Sequence, residues 1–204
     1  MKILIGSNNI AKQAEVSRIF EEIPIHPVTP HELNIEYDPL EPGGRHLEIA
    51  EQKALLWSSI TPHLVISTDG GLEIPWLGSA WKSIHTKRSA GNNACDEDRA
   101  KHLLTLLTSA VGSQRQASWT EAIAIAQSNH ILASWEVPGP QGSILAAMPN
   151  ETISPFWVNH LWYFPKYGKT YHHLLNSERE QLSDHWSTIK HIVSEFFKDS
   201  SQEL

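Results

Sequence analysis

The chain has 204 residues, a length that suits one α/β domain or one domain with a small lobe. Its 16 basic and 23 acidic residues give a formal net charge of -7, which argues against nucleic-acid binding because phosphate backbones need many Lys and Arg partners. The single cysteine excludes an intrachain disulfide and, together with a short N-terminal apolar run, predicts a soluble cytoplasmic protein with no membrane partner.

The first 93 residues predict strands that alternate with helices. A strand at 2–6 leads through a polar turn into a helix whose apolar residues recur at positions 16, 19, 20 and 23. A strand at 23–28, a short helical turn opened by a capping box at 29–32, and a loop at 39–44 come next. A second helix has apolar positions 47, 50, 54 and 57. A buried strand at 64–68 ends at 69–71, with 72–74 as a candidate continuation of the sheet, and 76–93 is irregular.

The remaining residues predict one helix, a group of antiparallel strands and a terminal helix. Acidic residues at 96–98 precede a helix with apolar positions 100, 103, 104 and 107, where the helix dipole favours negative charge. Strands at 115–127, 131–137 and 143–147 would form an antiparallel part of the sheet or a second lobe. Positions 186, 189, 193 and 196 mark the C-terminal helix, and 150–166 is left unassigned.

Two segments carry candidate chemistry on their residues alone. The segment Ser7–Lys12 joins a strand to a helix, and the backbone N–H groups and dipole at a helix start attract phosphate. The alternative is a capped helix with a solvated Lys12. Asp69 follows a buried strand, where open sheets bind ligands, and a carboxylate there can bind a metal or orient water. The alternative is a turn aspartate that bonds to its own backbone.

Histidines and tryptophans are both abundant, with 12 and 8 copies. The histidines show no spacing typical of a zinc site, and His172 and His173 are adjacent, so in a strand they would point to opposite sides. Tryptophans lie in the core more often than they stack on ligands, but Trp157 and Trp162 are candidates to stack on a base.

Several motifs resemble, in order and spacing, the inosine triphosphatase family of noncanonical purine NTP pyrophosphatases. The family's [ST]-x-N-x-x-K loop is similar to residues 7–12, and its E-N-A-x-x-K-A helix to 48–54, with Ile49 in place of Asn. Its D-D-S-G-L-E and S-A-R-Y-[AS]-G segments are similar to 68–73 and 86–91, and R-x-A-x-[FW] fits 115–119. The Y-G-K-T-[FY] motif is intact at 167–171, so the resemblance runs from residue 2 to about residue 195.

The resemblance implies a fold, a reaction and a set of site residues. The implied fold is α/β, with a mixed, curved central sheet flanked by helices, a smaller antiparallel lobe at roughly 113–150, and a cleft between them that holds the triphosphate. The implied reaction is Mg²⁺-dependent hydrolysis of a nucleoside triphosphate to a monophosphate and pyrophosphate by a homodimer. By the same resemblance, Asp69 is catalytic, and Glu48 and Asp69 bind the metal. The implied substrate-binding residues are Ser7, Asn9, Lys12, Lys53, Gly70, Arg88, Phe156, Trp157, Asn159, Lys169 and His185.

Two segments depart from the family pattern. The family's G-G-F-G-[YW]-D-P segment, which helps to clasp the base, aligns with 154–160, where the glycines are lost and Asn159 replaces the Asp. The family's late S-H-R aligns with Ser183-Asp184-His185, which keeps neither the His nor the Arg in register. Two alternatives therefore stay open: a pyrophosphatase with a different nucleotide specificity, and a nucleotide-binding sensor on the same fold that has lost turnover.

Overall fold

A computed structural model describes residues 1–37, 39 and 43–200 of the chain. Positions 40–42 of the predicted 39–44 loop lie outside the described residues. The helices and strands of the described part are β1 (Lys2–Ile5), α1 (Ile10–Ile19), β2 (His26–Val28), α2 (His46–Ser58), β3 (Leu64–Glu73), α3 (Asp96–Leu106), β4 (Gln116–Gln127), β5 (His130–Pro138), β6 (Gly142–Ile144), α4 (Trp157–Leu161), β7 (Trp162–Phe164), β8 (Lys169–Thr170), α5 (Asn176–Gln181) and α6 (His185–Ser200). Within these residues, no helix has the length and apolar content needed to cross a membrane.

The strands form one mixed sheet. Their order is β2-β1-β3-β4-β6-β7-β8, and β5 pairs with β4. The β1 strand is parallel to both β2 and β3, with Leu4 opposite Val28 on one side and Val65 on the other. The β4–β6, β6–β7 and β7–β8 pairs are antiparallel. The predicted α/β fold, a mixed sheet flanked by helices, is confirmed.

The contacts divide the chain into two compact units. The first contains Met1–Asp69, Glu121–Val137 and the described part of the C-terminal helix from His185. Its largest core cluster includes Ile3, Ile66 and Ile189 from three different elements. The second contains Gly70–Thr120 and Pro138–Asp184 and has its own apolar core. The predicted lobe at roughly 113–150 and the cleft beside it stay predictions.

The strand predicted to end before Asp69 continues without interruption. The β3 strand runs from Leu64 to Glu73, so Asp69 lies inside it rather than at its end. The prediction treated Gly70 and Gly71 as a turn, but glycine also adopts the extended conformation of a strand. The segment 150–166, which the sequence pattern left unassigned, contains the short helix α4 and the strand β7.

Close packing at Gly6 fixes the start of the loop between β1 and α1. A Cβ atom at this position would lie 2.3 Å from Ser67 Oγ and 2.8 Å from Trp57 Cδ1. The Ser67 hydroxyl also donates to the Gly6 carbonyl oxygen at 3.1 Å, and the Gly6 N–H donates to Ile66 O at 2.8 Å. The backbone of this loop therefore approaches β3 more closely than any side chain would permit.

We expect Gly6→Ala to destabilise the protein by about 1–3 kcal/mol, because the new methyl group must displace Ser67 or Trp57 in a packed region. Urea denaturation measures this change in the free energy of unfolding. Gly44→Ala is the matched control, since the closest contact of a Cβ there is Glu48 Oε2 at 3.8 Å. Equal, small effects of the two substitutions would contradict the prediction.

Candidate active site

The loop before α1 is organised by its own side chains. Asn9 is the N-cap of α1, and its Oδ1 accepts from the N–H groups of Ala11 at 3.0 Å and Lys12 at 3.3 Å. The Ser7 hydroxyl accepts from the Asn9 N–H at 3.2 Å. The capped-helix interpretation of this loop is therefore correct for Asn9. The Asn9 side chain therefore occupies two of the backbone N–H groups at the helix start that could otherwise bind an anion.

Lys12 makes a buried ion pair that the sequence analysis missed. Its Nζ lies 3.4 Å from Oε1 of Glu121, whose side chain is only 1% exposed. Glu121 lies within β4 as a charged residue immediately before the apolar run Ala122–Ala126. An acidic residue inside a buried strand needs a compensating charge, and this pattern is the signal that could have identified it.

Asp69 bonds to a second residue that the sequence analysis missed. Its Oδ2 lies 2.6 Å from Nδ1 of His46, the first residue of α2. Burial raises the pKa of Asp69, but the hydrogen bond from His46 and the positive charges of Lys12 and Lys53 outweigh burial, so this pKa lies below its ordinary value. The carboxylate is therefore ionised at neutral pH, within electrostatic reach of both lysines.

The register of α2 explains why His46 and Lys53 both lie near Asp69. The buried residues of this helix include His46, Ala50, Lys53 and Trp57, which recur at helical spacing along one face. Lys53 is only 6% exposed, so its ammonium needs a compensating negative charge, and Asp69 supplies one. A His and a Lys on the otherwise apolar face of a helix are a signal that the sequence pattern contains.

Glu48 lies outside this buried face. It is two residues beyond His46, a separation that places side chains on different sides of a helix. It is exposed, and its Oε2 accepts from the Gly44 N–H at 3.1 Å, just before the start of α2. In the described part of the chain, no group of three or more His, Cys, Asp or Glu side chains is arranged to hold a metal. The metal-binding role of Glu48 stays a prediction.

The structure brings Lys12, Lys53 and Asp69 together, and their electrostatic coupling is evident in the pKa of the carboxylate. The first unit holds one more predicted substrate-binding residue besides Ser7, Asn9, Lys12 and Lys53. This residue is His185, which is buried at the start of α6. Its role in substrate binding stays a prediction.

Six candidates lie in the second unit, and their roles in binding also stay predictions. Gly70 is an extended strand residue, and Arg88 is exposed at the end of a 3-10 stretch. Trp157 is buried in the apolar core, whereas Phe156 and Asn159 beside it are partly exposed. Lys169 pairs with both carboxylate oxygens of Glu178, at 2.8 and 3.0 Å.

Three histidines and one glutamate of the second unit form a cluster that the spacing analysis did not anticipate. The Glu151 carboxylate bonds to His160 Nδ1 at 2.8 Å and to His173 Nε2 at 3.1 Å. The His172 ring stacks on that of His160 with a centroid distance of 3.9 Å. The adjacent histidines lie in a 3-10 turn at Tyr171–His173 rather than in a strand, with His173 bonded to Glu151 and His172 stacked on His160. We call these four residues the histidine cluster.

We expect the histidine cluster to make the protein less stable in acid. His172 is exposed, but partial desolvation of its ring, followed by the charges of neighbouring histidines, lowers its pKa. The hydrogen bond from His160 is the main cause that lowers the pKa of Glu151. In both cases the unfolded chain binds more protons than the folded chain. The stability from His172 is therefore lost as pH falls below about 6.5, and that from Glu151 as pH falls below about 4.5.

Thermal melting between pH 8 and pH 4 measures this effect. His172→Gln should reduce the fall in Tm between pH 7 and pH 5, because a glutamine has no proton to gain in this range. His191→Gln, at an exposed position on α6, is the matched control and should leave the slope unchanged. A slope equally steep in wild type and His172→Gln would contradict the prediction.

Comparison with known proteins gives the family. The Ham1 family model matches residues 3–194. A dITP/XTP pyrophosphatase from Caldanaerobacter subterraneus subsp. tengcongensis is 28% identical over 184 residues, covering 90% of each chain. One from Desulforamulus reducens is 27% identical over 190 residues, covering 93% of this chain and 92% of that protein.

A solved HAM1 protein from Coxiella burnetii has a TM-score of 0.78 at 25% identity and covers 96% of this chain and 99% of that one. The Ham1 protein of Staphylococcus aureus also has a TM-score of 0.78 at 25% identity, with 98% and 100% covered. The resemblance drawn from the motifs is confirmed, and the chain belongs to the Ham1 family.

Proposed function

We propose that the protein is a Mg²⁺-dependent pyrophosphatase that hydrolyses noncanonical purine nucleoside triphosphates to monophosphates and pyrophosphate. The observation that carries the proposal is the ionised carboxylate of Asp69, held by His46 at 2.6 Å within reach of the Lys12 and Lys53 charges. Similarity over 90% of its length to proteins named dITP/XTP pyrophosphatase makes the chain an enzyme of the hydrolase class. Those names also support a purine triphosphate with a nonstandard base as the substrate.

Asp69 and Glu48 offer the kind of donor atom that a magnesium ion prefers. Mg²⁺ prefers oxygen ligands, keeps several waters, and is usually bound by one or two carboxylates together with substrate phosphates. The side chain of Asp69 is 14% exposed and ionised, and Glu48 offers an exposed carboxylate. These two residues would hold the cation, and when bound it would neutralise negative charge on the phosphates.

The protein's own residues would act on the triphosphate through charge and orientation. Lys12 and Lys53 would bind phosphate oxygens. The predicted role of Arg88 as a phosphate donor rests on the motif alone. Asp69 would orient a water molecule and accept its proton as the water oxygen attacks the α-phosphorus. The bond from the α-phosphorus to the bridging oxygen breaks, and pyrophosphate leaves with that oxygen. Most of the rate enhancement would come from positioning and from stabilisation of the charge that develops on the phosphates.

The second candidate function is the same pyrophosphatase reaction with a preference for a different nucleotide base. Trp157 packs in the apolar core, whereas Phe156 is partly exposed. Phe156 is therefore the better candidate to stack on a base. Asn159 carries both a donor and an acceptor, whereas a carboxylate only accepts, so the hydrogen bonds open to the base differ from those of an aspartate. These two features favour a base pocket that differs from the family pattern.

Pyrophosphate release from ITP, XTP, dITP, GTP and ATP, with and without Mg²⁺, tests the proposal. We expect ITP, XTP and dITP to be hydrolysed at least about tenfold more efficiently than GTP and ATP, and only with the metal. Faster hydrolysis of another triphosphate would support a different base preference. A nucleotide-dependent rise in Tm with no pyrophosphate from any substrate would instead identify a sensor.

We also propose that the enzyme is a cytoplasmic homodimer. The single cysteine suits a reducing compartment. Exposed apolar side chains that could serve an interface between two copies include Ile10, Trp76, Val111 and Leu175. Light scattering of the purified protein gives the mass in solution, and a value equal to one chain across a wide concentration range would rule out the dimer.

A further inference from the structure

His46 occupies a position where a polar side chain is costly. It is the first residue of α2 and only 4% exposed, and it shares the buried face of that helix with Ile49 and Ala50. A buried imidazole costs free energy unless its nitrogen atoms find partners. The Oδ2 atom of Asp69 is such a partner, at 2.6 Å from Nδ1, and the two residues are 23 positions apart in the sequence. The contact therefore joins the start of α2 to the middle of β3.

The chemistry of the two groups fixes the direction of this hydrogen bond. A carboxylate at neutral pH can only accept, so Nδ1 of His46 carries the proton and donates it to Oδ2. Hydrogen bonds to an ionised acceptor are shorter and stronger than neutral ones, and 2.6 Å is short for a nitrogen donor. With Oδ2 engaged, the rotation of the carboxylate about its Cβ–Cγ bond is restricted, and Oδ1 is the oxygen that His46 does not engage.

The lysines alone would not hold the carboxylate in this way. Lys12 bonds to Glu121 at 3.4 Å, and both Lys12 and Lys53 act on Asp69 as charges in addition to the bond from His46. An ammonium on a flexible four-carbon chain attracts a carboxylate without fixing its plane, whereas an imidazole on a buried helical turn is itself fixed. The rigid donor at Asp69 is therefore His46.

We propose that His46 is a positioning residue that fixes the carboxylate of Asp69 for its reaction with water and substrate. This inference rests on the proposed pyrophosphatase function, because it assigns to His46 the orientation of the group that acts on the water. It predicts that losing the Nδ1 donor slows the chemical step more than it weakens substrate binding.

Three substitutions of His46 separate orientation from packing. Asparagine places an N–H donor near the position of Nδ1, glutamine places one near Nε2, and phenylalanine fills the ring volume with no donor. We expect kcat for pyrophosphate release to fall about 10- to 100-fold in His46→Phe and His46→Gln, with KM changed less than about threefold. In His46→Asn most of kcat should be retained, because the donor to Oδ2 is restored.

The controls distinguish the two ways in which the inference could be wrong. Thermal melts establish that each variant is folded, and His191→Phe, at an exposed position on α6, should leave kcat unchanged. If wild type is active and Asp69→Asn is not, but His46→Asn and His46→Gln have equal kcat, the positioning role is overturned and the proposed function stands. The same conclusion follows if only KM changes. If the folded wild type releases no pyrophosphate from any triphosphate, both the proposed function and this inference are overturned.

Discussion

Asp69→Asn should lower kcat for pyrophosphate release by about a hundredfold or more. The amide has nearly the shape of the carboxylate, but it has no negative charge and cannot take a proton from water at neutral pH. General-base catalysis by a positioned side chain contributes about 10²–10⁴-fold. The substitution also leaves Lys53, a residue that is only 6% exposed, with less compensating negative charge. Steady-state kinetics at saturating Mg²⁺ measures the loss.

The matched control for this substitution is Asp199→Asn, an exposed position on α6 that should retain wild-type kcat. Substrate binding should survive in Asp69→Asn, because the lysines that would contact phosphate remain in place and less negative charge opposes the substrate. A thermal shift with a nonhydrolysed triphosphate analogue measures this binding. Retention of more than about one-tenth of wild-type kcat would remove Asp69 from the role of general base.

Local signals in the sequence were sufficient to predict many of the elements. The N-cap Asn9 and the capping box at Thr29 and Glu32 both form as expected, since each depends on residues no more than three positions apart. The helix with acidic residues at 96–98 and the hairpin at 128–130 also form, the latter through positive φ angles at Ser128 and Asn129. These features depend on nearest neighbours along the chain, and a sequence shows nearest neighbours directly.

The partners within the candidate site depend on contacts that no local pattern contains. His46 meets Asp69 across 23 positions, and Lys12 meets Glu121 across 109. The motif resemblance identified Lys12, Lys53 and Asp69 but neither of their new partners, because His46 and Glu121 belong to none of the matched positions. The sequence does show polar residues at positions where the apolar pattern predicts burial. Such a residue indicates that it has a bonding partner, but the sequence does not show which residue that partner is.

The same reasoning explains why Asp69 lies inside β3 and not, as predicted, after the end of the strand. A pair of glycines after a buried strand is typical of a turn, but the conformation that Gly70 and Gly71 adopt depends on whether neighbouring strands continue alongside. The β3 strand extends to Glu73, so the aspartate is held by strand backbone on both sides. This makes its backbone position more rigid than a turn would, which suits a residue whose carboxylate must be oriented.

The buried ion pair between Lys12 and Glu121 gives the second large effect, this time on stability. Lys12→Met should destabilise the protein by about 3–5 kcal/mol, because it leaves the Glu121 carboxylate, 1% exposed, without its lysine partner. Glu121→Gln in the same chain removes the negative charge at position 121. The double variant should therefore recover most of the lost free energy of unfolding. Urea denaturation of the four proteins gives the coupling free energy.

Activity should not recover with stability in the double variant, and this contrast separates the two roles of Lys12. A charge that only stabilises Glu121 becomes dispensable once the carboxylate is neutral, whereas a charge that binds phosphate does not. We therefore expect kcat/KM of Lys12→Met/Glu121→Gln to stay at least about tenfold below wild type, although its free energy of unfolding approaches that of wild type. Full recovery of both quantities would show that Lys12 serves the fold alone, and Lys53 would then remain as the candidate phosphate-binding lysine beside Asp69.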